Sequence, residues 1–241
     1  MLCELCEYLE IRTGVKVSVS TMYRILKKFN ISRKKSLYAS EQDREDIKQK
    51  RYDYRKWLDL VDINNLVFVD ESGVNLGMTR LYGRGKVGER VVSNAPRNKG
   101  KNTSVLGALS LDGLIASMTV IGSTNKNVFE TYIEQILVPQ LWPGAIVLMD
   151  NLSVHKGSRI QELISSTGAK LIFLPAYSPD LSPIELCWSK FKEFLRSRQA
   201  RTQEQLDRVI SEAFAERGVS RIAQITEDDV MGWFEHCGLF I

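Results

Sequence analysis

Apolar positions follow two different periods along this chain. Between residues 2 and 60 they recur at helical spacing; from Leu66 onward short continuous apolar runs alternate with helical stretches. Residues 2–12 carry one stripe, Leu2, Leu5, Cys6 and Leu9, stopped near Thr13-Gly14. Ser18 or Ser20 is placed to cap a second helix reaching about Phe29, with Val19, Tyr23, Leu26 and further candidates Ile25 and Phe29 turned inward. Asn30 suits its C-terminal stop. Ser40-Glu41-Gln42-Asp43 has the form of a capping box opening a charged helix through about Leu60, with Ile47, Tyr54, Trp57 and Leu58 as its apolar side.

Beyond residue 65 the runs Leu66-Val67-Phe68-Val69 and Ala145-Ile146-Val147-Leu148-Met149 read as strands buried on both faces. Arg90-Val91-Val92 reads as part of another strand, and Thr103–Leu109 turns through Asp112-Gly113 into Leu114–Val120. A helix is predicted from Asn125 to Val138, ended by Pro139, and another over Ser158–Ser166. Lys170–Leu174 is a short strand, and helices follow at about 184–197, 203–217 and 227–236. A three-strand meander followed by alternating helices and strands predicts a mixed α/β sheet with helices on its faces. The expected organisation is a partial helix-turn-helix or winged-helix region over 1–38, a linker helix over 39–62, and the α/β body over 63–241.

Three acids stand out against this pattern. Asp70 and Asp150 close the two buried apolar runs, where an ordinary surface carboxylate is out of place. If those strands are neighbours, both acids lie at the carboxyl ends where such sheets gather ligands. Glu185 follows the proline-rich Leu174–Pro183 segment and opens a helix. Each has a structural alternative. Asp70 and Asp150 could serve turns, and Ser182-Pro183-Ile184-Glu185 fits a capping box. Together, three carboxylates suit hard divalent cations and a two-metal phosphoryl-transfer site. His155, five residues past Asp150, and Asn151 are supporting candidates; a structural hydrogen-bonding role suits His155 equally.

Charge adds a second theme. Residues 11–40 hold eight basic side chains and no acid, which leaves 25 basic against 29 acidic elsewhere. Such a block is a footprint for nucleic acid, and Arg24, Lys27, Lys28, Arg33, Lys34 and Lys35 are its candidate contacts. A plain helical hairpin has the same pattern. Residues 80–101 add seven basic residues against Glu89, interleaved with glycines, as in a clamp on DNA. On the Glu185 helix, Lys192 and Arg196 share the glutamate's stripe, either to guide DNA phosphates or as a solvated face. Cys3-x-x-Cys6 lacks a second Cys or His pair nearby, which makes zinc a weak reading. No apolar stretch nears the ~20 residues of a membrane span, no signal-peptide pattern opens the chain, and no G-x-x-x-x-G-K-[ST] loop occurs, so a cytoplasmic protein without ATP-driven chemistry is expected.

The motifs Phe68-Val69-Asp70-Glu71-Ser72-Gly73, Leu148-Met149-Asp150-Asn151 with His155, and Leu174-Pro175-Ala176-Tyr177-Ser178-Pro179-Asp180-Leu181-Ser182-Pro183-Ile184-Glu185, with 34 residues between Asp150 and Glu185, resemble bacterial insertion-sequence transposases of the mariner-like DDE superfamily. The resemblance implies a ribonuclease-H-like fold and a catalytic triad of Asp70, Asp150 and Glu185 holding two Mg2+ ions, with Mn2+ as a substitute. It also implies DNA partners (terminal inverted repeats and target DNA, often at a TA dinucleotide), a homodimer or synaptic complex, and a bacterial, nucleoid-associated location. Relatives usually carry two N-terminal DNA-binding subdomains; only the second is expected here, as in a downstream product or truncated copy. A catalytically silent DNA-binding relic or regulator, and a nuclease without strand transfer, are the alternatives.

Overall fold

The computed structural model describes residues 2–31, 39–152, 155–214 and 225–240. The chain divides into two compact units, Met1–Ala39 and Ser40–Ile241. In the first, α1 (Leu2–Thr13) and α2 (Val19–Lys28) form a helical pair. Ser18 caps α2, its hydroxyl accepting from the Thr21 amide at 3.2 Å. Asn30 takes φ 57°, the left-handed turn that ends helices, and the Ile31 amide then reaches the Leu26 carbonyl at 2.8 Å. The buried side chain is Met22, whereas Val19, Tyr23, Ile25 and Phe29 are exposed and Leu26 is half-buried. Two short helices share one narrow seam, so most of the apolar stripe has nothing to pack on.

The second unit is built on a five-stranded sheet of order β3-β2-β1-β4-β5, with β1 Leu66–Val74, β2 Thr103–Ser110, β3 Gly113–Ile121, β4 Ile146–Met149 and β5 Lys170–Phe173. β1, β2 and β3 form the antiparallel meander; β4 and β5 add on in parallel. β1 does not stop at Asp70. It continues to Val74 because β2 stays paired with it as far as Val74 opposite Thr103, whereas the parallel partner β4 ends at Met149 opposite Val69. Arg90-Val91-Val92 forms no strand: residues 79–102 are irregular and both valines are exposed, with no neighbouring strand to satisfy their backbone.

The sheet separates two cores. On one face Leu66, Phe68, Val74, Val105, Leu109 and Leu148 meet α3 (Glu45–Leu58) through Tyr54 and Leu58. The same face packs on α6 (Pro183–Arg198) through Ile184, Cys187, Trp188, Phe191 and Leu195. α7 (Gln203–Phe214) and α8 (Glu227–His236) complete this side. On the other face Val67, Val69, Leu106, Val147 and Met149 meet α4 (Lys126–Tyr132), its π-helical continuation to Leu137, and α5 (Ser158–Ser165). Burial of each large side chain in these layers contributes roughly 1.5–3 kcal/mol. The Ser40 capping box does not form. Ser40–Asp43 is a separate 3-10 turn, and Arg44 takes the N-cap position without a side-chain bond to the backbone. No helix among the described residues is long and apolar enough to cross a membrane.

Candidate active site

Strand alternation places Asp70 and Asp150. Leu66 and Phe68 of β1 face the α6 layer, so Asp70, two residues on, faces it too. Leu148 of β4 faces the same layer, and Asp150 follows it by two. Val69 pairs with Met149, which brings the next residue of each chain, Asp70 and Asp150, side by side where the parallel pairing ends.

Glu185 arrives from above this face, in the first turn of α6. Pro183 occupies the first helical position, and Ser182 is the N-cap without a side-chain bond. The capping-box alternative is therefore not the one adopted. The Glu185 amide instead reaches the Ser182 carbonyl at 3.2 Å, and the glutamate side chain remains exposed.

One turn further along α6, Trp188 reaches the sheet. Its indole Nε1 donates to Asp70 Oδ2 at 3.0 Å. The ring lies against Gly107 of β2, the residue paired with Asp70. A Cβ at Gly107 would stand 2.6 Å from the indole, so the absent side chain makes room for the ring. The Asp70 carboxyl titrates at about 7: burial raises it most, and the charges of Glu185 and Asp150 raise it further, against the Glu71 amide and Trp188, which lower it. The charges of Glu185 and Asp150 therefore lie near enough to act on the Asp70 carboxyl.

Asp150 Oδ1 accepts from the Leu152 amide at 3.2 Å. His155 is buried, its ring tilted against Phe129 with centroids 4.3 Å apart. Its Nδ1 comes within 2.5 Å of Asp150 Oδ1 without the in-line geometry of a hydrogen bond. Asn151 is exposed and lines a cavity of about 430 Å3 with Lys50, Tyr54, Trp57 and Leu174.

The all-oxygen donor set fits a hard divalent cation. Glu185 is not spent on capping, and Asp70 keeps its second oxygen outside the indole bond. Among the described residues no three acidic, histidine or cysteine side chains stand close enough together to hold a metal ion as they are placed.

Periodicity did not reveal the scaffold that aims Glu185. Arg51 of α3 grips Asp180 in a two-pronged ion pair, at 3.0 and 2.6 Å, and donates to Ser178 Oγ at 2.6 Å. Arg51 holds the Asp180 carboxyl below the usual range. Gln42 donates to the Tyr177 carbonyl at 2.5 Å, at a residue with φ 59°. The proline-rich loop is thus tied to α3 immediately before it delivers Glu185. Arg201 similarly ties the segment after β1, donating to the carbonyls of Leu76 and Met78 at 3.1 Å. The signals in sequence were one of two arginines in a charged helix and one glycine in an apolar strand.

Of the DNA-contact candidates, Arg24, Lys27 and Lys28 are exposed on α2, and Lys192 and Arg196 are half-buried on α6. Arg33, Lys34 and Lys35 lie outside the described residues.

Residues 65–207, more than half of the chain, match the model of the DDE superfamily endonuclease family. Among curated proteins no relative matches the chain. Among solved structures, the Mos1 mariner paired end complex with Mn aligns with a TM-score of 0.69 at 16% identity, covering 98% of this chain and 76% of that one. The Mos1 strand transfer complex gives 0.66 at 16% identity over 99% and 76%. The catalytic domain of Mos1 mariner transposase gives 0.56 at 14% over 86% and 95%. The shared fold is the ribonuclease-H-like one.

Proposed function

Because this chain belongs to the DDE superfamily of endonucleases, we propose that it is a DNA transposase, cleaving phosphodiester bonds at the ends of a mobile element and joining the freed ends to target DNA. The observation that supports this reading is the placement of Asp70 and Asp150 side by side where the parallel pairing ends, with Glu185 in the first turn of the helix packed on that face. The solved Mos1 paired end complexes are with Mn or Mg and with a left transposon end; for this chain, metal and DNA ends are part of the proposal.

In this reading Asp70, Asp150 and Glu185 would hold two Mg2+ ions, with Mn2+ as a substitute. Once bound, the ions supply Lewis-acid activation of the attacking hydroxyl and stabilisation of the leaving oxygen in an in-line displacement. The chain's own part is positional. The Arg51–Asp180 pair and Pro183 fix where Glu185 enters. Lys192 and Arg196, continuing the Glu185 stripe along α6, hold phosphates of the DNA on either side of the scissile bond, and Arg24, Lys27 and Lys28 hold DNA at the first unit. Two ends must be cut and joined together, so the working form is a homodimer or larger synaptic complex on DNA.

The test compares wild type with Asp150→Asn and Glu185→Gln on plasmid carrying the DNA that flanks the gene. Wild type should cut at the element boundaries only with Mg2+ or Mn2+, and both variants should lose at least about 1,000-fold in rate while binding DNA normally. Cutting retained by both variants would overturn the assignment. Cutting without joined products would reduce the activity to that of a nuclease.

A further inference from the structure

We propose that Trp188 is a positioning residue for the metal site, acting through Asp70; this rests on the transposase reading above. Three observations carry it. The indole N–H, a donor with no acceptor capacity, is spent on one oxygen of Asp70, Oδ2, at 3.0 Å. The ring is 2% exposed and packed at a tilt against Phe191, with centroids 5.8 Å apart, so it has no freedom to swing away. Gly107, directly across the β-ladder from Asp70, is the one β2 position without a side chain, and the ring tip fills that space. A tryptophan used only as core filling needs neither the glycine beneath it nor a carboxylate at its nitrogen. Together with the Glu71 amide they fix the rotation of the Asp70 carboxylate, in the orientation from which it would hold a cation with Asp150 and Glu185. Because α6 also carries Glu185 three residues earlier, the same bond sets the distance between helix and strand. Two of the three carboxylates are thereby held in one rigid frame. Partners of this kind around metal-ligating carboxylates typically matter by 10- to 100-fold, on the order of one to two decades in affinity or activity.

The test uses the full chain labelled with 15N at its four tryptophan indoles. Trp188→Phe assigns the Trp188 signal, which should shift on Asp70→Ala and broaden first when Mn2+ is added. Mn2+ affinity, read from free Mn2+ by electron paramagnetic resonance below the melting range of each variant, should weaken about tenfold or more in folded Trp188→Phe. Gly107→Ala, which keeps the N–H but pushes the ring off its seat, should weaken Mn2+ in the same direction. Cleavage should fall in turnover while the KM for DNA holds. Wild-type Mn2+ affinity in both folded variants, or an indole signal indifferent to Asp70→Ala, would overturn the role of Trp188 alone. A wild-type chain that binds no Mn2+ would overturn the transposase reading, and this role with it, even if the indole still reports the Asp70 bond.

Discussion

Asp70 is held where a negative charge is costly, beside two other acids, and its carboxyl answers by taking up a proton until about pH 7. The sign of the consequence is fixed. Between the unfolded carboxyl's value near 4 and about 7 the folded chain holds a proton that the unfolded chain has released, so metal-free stability falls as pH rises through this window and levels off above it. Asp70→Asn should abolish that slope and leave the metal-free protein more stable at pH 8, by on the order of 2–4 kcal/mol, in melting curves recorded across pH. A cation competes with the same proton. At subsaturating Mg2+, cleavage by wild type should therefore climb as pH passes through about 7, and saturating Mn2+ should move the climb to lower pH. A cleavage profile flat from pH 6 to 8 at low Mg2+ would remove Asp70 from the ligand set. None of this was legible in the residue itself; the run of apolar residues before Asp70 announced burial, but the neighbours that raise its proton affinity come from β4 and α6.

At the scale of elements, the site depends on how α3 and α6 are tied to the sheet. Arg51 is mostly buried, its side chain 14% exposed, and it reaches across 129 positions of sequence to Asp180. Arg51→Ala should destabilise the chain by about 1–2 kcal/mol and lower cleavage by about tenfold or more, because the loop that delivers Glu185 loses its anchor. A double-mutant cycle with Asp180→Ala should show the two losses to be largely one and the same; fully additive losses would count against the anchor. The buried apolar runs that became β1 and β4 were clear in the sequence because a two-faced burial leaves no polar interruption. Arg90-Val91-Val92 misled for the complementary reason. Two valines between glycines have strand propensity, yet no partner strand comes near them, and propensity without pairing makes no sheet. The Ser40 and Ser182 boxes misled because the same letters serve a 3-10 turn in one place and a proline-led helix start in the other.

For the whole molecule, the division of labour follows charge. The second unit carries the three acids, while α2 of the first presents Arg24, Lys27 and Lys28 to solvent. Replacing Lys192 and Arg196 together by alanine should lower the slope of log affinity against log salt by roughly 2, as two released counterions per complex require, and an unchanged slope would assign both side chains to a solvated face. A mixed sheet with helices on its faces was legible from hydrophobic period, since each strand had to bury its apolar face against a helix; the strand order, which makes the strands of Asp70 and Asp150 neighbours, was not. The first unit was less legible: its stripe is apolar but among its described residues only Met22 is buried, and nothing in a two-helix pattern says which face finds a partner. The central claim is that Asp70, Asp150 and Glu185 together hold divalent cations. A crystal of the chain soaked in Mn2+ tests it most directly, through anomalous scattering. The account predicts two Mn2+ peaks ~3.5–4 Å apart among these three carboxylates, absent from Asp70→Asn crystals. Mn2+ bound elsewhere, with the three carboxylates empty, would contradict it.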